Sequence, residues 1–185
     1  MPPFFTTFCN PIIVRPMRVL ALLIIATAYA GAAERPFDYP VSSPRAEFEA
    51  VFTKIDYPAS QREGTKIAIK DRDKKTVFEH ELTRDVACNA QWSHDGKFLA
   101  ITATNGGGHS PWHYWLYVFS LDAREIREYR EPDKAPVIVS AEMFFQPPHT
   151  LILIGHTFEH GMEAPEDPVL VRFDLAAMWP KLEKV

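Results

Sequence analysis

The residues of this chain that could do chemistry fall in two short stretches. His156-Thr157-Phe158-Glu159-His160 has H-x-x-E-H spacing, in which two imidazoles can hold zinc while the carboxylate acts as general base. That chemistry requires a helix, because only there do positions i and i+4 bring both rings to one metal. Here the string follows the apolar run Leu151-Ile152-Leu153-Ile154 and lies between Gly155 and Gly161, flanks that predict a loop leaving a strand. The protease reading fails on that context. A loop metal site of His156, Glu159 and His160, joined by His109 or His113, stays open beside the plainer reading of solvated loop residues.

The second stretch is Gly106-Gly107-Gly108-His109-Ser110-Pro111-Trp112-His113-Tyr114-Trp115. A nucleophile elbow, G-x-S-x-G, needs glycine where Trp112 stands, and a phosphate loop needs a lysine and a following helix, neither of which is present. What remains is a glycine-rich loop ending in aromatics. His109, Trp112, His113 and Tyr114 are candidate binding residues, with Trp112 and Tyr114 as a stacking or peptide-docking platform. The alternative is that Trp112 packs a sheet edge, a common use of large aromatics in β structure. No set of groups converges on a nucleophile and base, so the expectation is a non-catalytic protein without a cofactor.

The elements that must hold these loops read as strands. Phe48 to Ile55 alternates; Lys66 to Lys70 and Thr76 to Leu82 flank a charged turn, with Phe78, His80 and Leu82 on one face and Val77, Glu79 and Glu81 on the other. Trp115 to Phe119, Leu151 to Ile154 and Val169 to Val171 are apolar on both faces, so they ask for cover on both sides. Between Trp92 and Ile101, Asp95-Gly96 separates two apolar runs and predicts a hairpin with Gly96 at positive φ. A shift of 53 residues lays Trp92 over Phe145 and Phe98-Leu99-Ala100-Ile101 over Leu151-Ile152-Leu153-Ile154, a loose internal repeat.

Trp92-Ser93-His94-Asp95-Gly96-Lys97-Phe98-Leu99-Ala100 resembles the W-S-x-D-G-x-x-L-A signature of TolB-like and WD-type β-propeller blades, with His94 where that family usually carries proline. The resemblance implies an all-β fold of about three antiparallel meander units, near 45–82, 86–130 and 137–175, in a partial or open propeller; a twisted β-sandwich is the alternative. Closed propellers have typically four to eight blades, so three units need a cap or a partner. Ala176 to Lys184, with Met178, Trp179 and Leu182 at helical spacing, is expected to add a short terminal helical turn. Hydrolase relatives of this group carry their chemistry in a separate α/β domain, which nothing here encodes.

Composition sets the surroundings. Arg15 and Arg18 precede the apolar run Val19 to Ala28, and small residues follow to Ala33, the layout of a signal peptide over residues 1–33, with Met17 as an alternative start. The run is shorter than the roughly 20 residues of a membrane span, so no stable anchor is expected after cleavage. Loss of the leader lowers the 20 basic residues to 18 against 24 acidic ones, net −6, which argues against nucleic acid as a partner. Cys9 leaves with the leader, and Cys88 alone cannot form an internal disulfide. These features, with the resemblance, describe a periplasmic or secreted module binding an envelope protein or peptide. A metal-dependent hydrolase and a homo-oligomeric subunit of a larger ring are the alternatives.

Overall fold

A computed structural model describes residues 40–58, 62–105, 114–129, 137–156 and 169–185. Alternation of apolar and polar residues, broken by short polar turns, gives three open antiparallel sheets in chain order. The first holds β1 (Val41–Ser42), β2 (Phe48–Tyr57), β3 (Arg62–Asp71) and β4 (Thr76–Leu82). The second holds β5 (Asp85–Trp92), β6 (Phe98–Asn105), β7 (Trp115–Ser120) and β8 (Glu125–Tyr129). The third holds β9 (Val137–Gln146), β10 (Thr150–His156) and β11 (Val169–Asp174). The chain is all-β, and none of the sheets closes on itself.

The second sheet lies between the other two, which is why its strands are apolar on both faces. Trp92, Leu99, Ile101, Tyr117 and Phe119 pack toward the first sheet against Phe52, Ile67 and Ile69. Phe98, Ala100, Leu116 and Val118 pack the other way, against Met143, Leu151, Leu153 and Phe173 of the third. Period-two alternation alone would separate Ala87 from Ala90, yet both face the first sheet. A bulge at Cys88 resets the parity, since Ala87 pairs with Ala103 and Asn89 with Thr102. Beside the bulge the Ala87 N–H donates to Thr65 Oγ1 of the first sheet at 2.9 Å. Cys88 itself is half-buried against the second core. In β4 a register shift puts Val77 as well as Phe78 against the first core, so Val77 leaves the outward face expected of it.

The same turn opens the first two sheets. Ser93 N–H donates to Phe98 O, Gly96 N–H to Ser93 O, and Phe98 N–H to Ser93 Oγ, at 2.8, 2.9 and 3.0 Å. Ser43, Ala46 and Phe48 repeat every one of these bonds at 2.8, 2.8 and 3.1 Å, fifty positions earlier. Gly96 has φ +71° and Ala46 φ +53°. The expected hairpin at Asp95-Gly96 is present with glycine at positive φ, although the turn centres on His94-Asp95. Residues 40–44 show no periodic apolar pattern in the sequence, yet β1 and its turn belong to the first sheet. The third sheet uses Pro147-Pro148-His149, one residue shorter, so Trp92 opposes Leu99 while Phe145 opposes Leu151. The 53-residue shift therefore holds for the first strand and is one residue out in the second, where a slip of one exchanges faces.

After β11 the chain crosses to the second sheet. Asp174 caps the short helix α1 (Leu175–Met178) by accepting from the N–H groups of Ala176 and Ala177. A 3₁₀ turn follows at Trp179–Lys181, containing Pro180, and then β12 (Glu183–Lys184) pairs with β8. Helical spacing of Met178, Trp179 and Leu182 thus gives one helical turn and then a strand. Arg127 fixes this strap: its guanidinium lies 4.5 Å from the Trp179 ring centre and donates to Trp179 O at 2.9 Å.

Candidate functional site

The three opening turns meet at one end of the stack, where they gather four polar side chains. His94 Nε2 donates to Phe145 O at 3.0 Å, which places its proton on that nitrogen. Asp95 N–H donates to Pro148 O at 3.3 Å. His149 stands between two carboxylates, with Nδ1 3.1 Å from Asp95 Oδ2 and Nε2 3.4 Å from Asp174 Oδ1. On the first sheet's side, Trp92 Nε1 donates to Val41 O at 2.9 Å. Burial alone raises the Asp95 carboxyl, but the Ser93 hydroxyl, the Lys97 N–H and the His149 ring together outweigh it and hold the pKa below the usual carboxylate value.

Serine, aspartate and histidine in contact invite comparison with a catalytic triad, and the geometry declines it. A triad places histidine between serine and aspartate so that the ring can take the hydroxyl proton. Here Asp95 is in the middle, since Ser93 Oγ donates to Asp95 Oδ1 at 2.6 Å. Ser93 is also fully buried and accepts from Phe98 N–H, so no substrate carbonyl can reach it. These groups join sheets and carry no nucleophile. Among the described residues no cluster of His, Cys, Asp or Glu has the arrangement of a metal site.

The described strand ends nearest the sequence candidates, Asn105, Tyr114 and His156, lie at the opposite end of their strands from these turns. His109, Trp112, His113, Glu159 and His160 lie outside the described residues, and of His156 only the backbone, at the end of β10, is described. Tyr114 is buried in the core between the second and third sheets, which takes its ring out of the aromatic platform expected for it. Its N–H donates to Ile138 O at 2.7 Å, and Ile138 pairs with Gly155. The strand ends that carry the Gly106–His113 and Thr157–Pro168 connections are thus joined through one residue of β9. Sequence spacing gave no sign of this, because Tyr114, Ile138 and Gly155 share no local pattern.

His94, His149 and Asp174 were not singled out from sequence. The one available signal was His94 standing at the proline position of the blade signature. A scan against models of known protein families finds no match, and a search of curated proteins finds none.

Proposed function

We propose that this chain is an exported, non-catalytic module of propeller-blade-like sheets, open and partial, that binds a protein or extended peptide of the cell envelope. One observation carries the reading: the strand ends bearing the two histidine-containing connections are tied together at Tyr114, Ile138 and Gly155. Both connections therefore leave from neighbouring strand ends of one scaffold, and loops carried on a rigid scaffold are the usual place for binding. A middle sheet covered on both faces favours stacked blades over a two-sheet sandwich. The tagged chain should retain a discrete envelope protein, and Trp112→Ala with His113→Ala should abolish that retention without moving the thermal midpoint. Unchanged retention at unchanged stability removes this end from the proposal.

The same tie favours one second reading, a metal site shared by His109 or His113 and by His156, Glu159 and His160. It requires stoichiometric zinc in the isolated protein and a thermal midpoint that rises when zinc is restored after chelation, because a ligand of the folded state must stabilise it. A midpoint indifferent to zinc ends that reading.

A further inference from the structure

In the first two sheets a fourth strand follows the third and pairs antiparallel with it, β4 on β3 and β8 on β7. The third sheet stops at β11, because residues 175–184 cross to the second sheet instead of turning back along it. Among the described residues nothing pairs with the outer edge of β11. The phase of its ladder decides which groups that edge offers. Leu175 N–H donates to His149 O, and all six residues of β11 pair with β10 without a register shift, so Val169, Val171 and Phe173 bond to β10. Leu170 and Arg172 therefore point their N–H and C=O groups away from the sheet, and both residues are exposed.

The corresponding edges of the other two sheets are closed to an added strand. β4 carries a register shift beside Lys70, the Glu79 carboxylate in its pair with Lys66, and exposed Glu81, devices that blunt a sheet edge. β8 is covered by β12 along Arg127 and Glu128. β11 has neither protection over Val169-Leu170-Val171, and its one cation, Arg172, has no ion-pair partner among the described residues. We propose that the outer edge of β11 is a β-augmentation site, which takes one extended segment of a partner protein as the fourth strand of the third sheet. This rests on the binding reading above for its partner and adds a second point of capture. The second sheet excludes another copy of the chain from the position. Tyr129 of β8 meets the Phe173 ring edge-on at 4.9 Å, so β8 stands over β11 and β12 projects beyond it. Pairing β11 with β11 of a second copy, about a two-fold axis normal to the sheet, keeps both second sheets on one side and drives their projecting β12 strands together. A single strand, about 4.8 Å wide, brings no such sheet with it. Paired antiparallel, as β4 and β8 are, the segment sets an acidic residue against Arg172 and, two residues later, an apolar one against Leu170.

The probe is a fluorescein-labelled, amidated peptide of sequence STVEVVTS, titrated with the full chain and followed by fluorescence polarisation. A dissociation constant on the order of 10 to 100 µM is expected, since a few backbone bonds must offset the ordering of the peptide. N-methylation of the glutamate, or of the valine two residues after it, removes a donor aimed at β11 and should abolish binding. N-methylation of the valine between them, whose N–H faces away, should leave binding unchanged. Leu170→Pro deletes an outward donor while sparing the ladder to β10, so it should abolish binding with the thermal midpoint close to the parent's. Arg172→Glu should weaken binding about tenfold, and a peptide with lysine in place of its glutamate should restore it. Equal loss on N-methylation at all three positions, full binding by Leu170→Pro, or no binding by the parent at about 500 µM overturns the proposal. So does a dimer of the unliganded chain that Leu170→Pro dissolves, which would put a second copy at this edge. Trp112→Ala with His113→Ala should leave the peptide affinity unchanged, so failure at the edge and failure at the loops are seen separately.

Discussion

The turns Ser43–Phe48 and Ser93–Phe98 share a backbone and differ in their work. Both close with the serine hydroxyl accepting from the phenylalanine N–H, and both hold a residue at positive φ. The first carries Pro44 and Ala46 at the edge of the stack. The second carries His94, Asp95 and Gly96 between two neighbours and reaches both, through Trp92 to Val41 and through His94 and Asp95 to the third sheet. Local bonds are therefore enough to make the turn. Side chains at its free positions decide whether it also joins sheets.

The largest way to break the comparison is Trp92→Ala. This removes a buried indole that meets Phe119 edge-on at 6.3 Å and donates to Val41 O, and it should cost about 3 to 5 kcal/mol in denaturant unfolding. Gly96→Val comes next. A Cβ at 96 meets nothing nearer than Pro44 Cδ at 3.7 Å, so the expected cost, about 1 to 3 kcal/mol, comes chiefly from positive φ. A cost near zero would mean that the backbone relaxes out of the turn both copies share.

Asp95→Asn tests the charged ties, with an expected loss of about 1 to 2 kcal/mol at neutral pH. The folded-state pKa of Asp95 lies below its ordinary 3.8. Its contribution is thus fully present above that value and disappears as pH falls through the folded value. Parent and Asp95→Asn curves should converge in acid; a gap constant from pH 7 to about pH 2 would show that the charge is not what stabilises the turn.

His94 sharpens the contrast at smaller scale. Pro44 occupies the same turn position, so proline fits the backbone at 94, but proline cannot bond Phe145 O. His94→Ala should cost about 1 kcal/mol, and His94→Pro should recover about half of it by restricting the unfolded chain. Equal costs for the two variants would show that the position is not turn-like. The smallest effect is expected at Ala46→Gly, a gain of about 0.5 kcal/mol in thermal unfolding, because glycine relieves positive φ while loosening the unfolded state.

The strands were legible where alternation or a two-faced apolar run exceeded four residues, as at Phe48 to Ile55 and Trp115 to Phe119. β1 was not, since two residues show no period and Ala46 hides the positive φ that glycine advertises at 96. β12 was masked by the helical spacing of Met178, Trp179 and Leu182. The polar cluster at the turn end was invisible for another reason. His149 owes its place to Asp95 and Asp174, 54 and 25 positions away, and short-range spacing carries no record of such distances.

What the sequence by itself determined is the local alphabet: strands by alternation, turns by Asp-Gly and proline, and the demand of two-faced strands for cover. Only the tertiary structure decided which face met which sheet. One inserted residue at Cys88 and one omitted residue at the Pro147-Pro148 turn each shift a strand by a single step. Because side chains alternate with period two, one step exchanges the buried face for the other, and only packing against a neighbouring sheet fixes the choice.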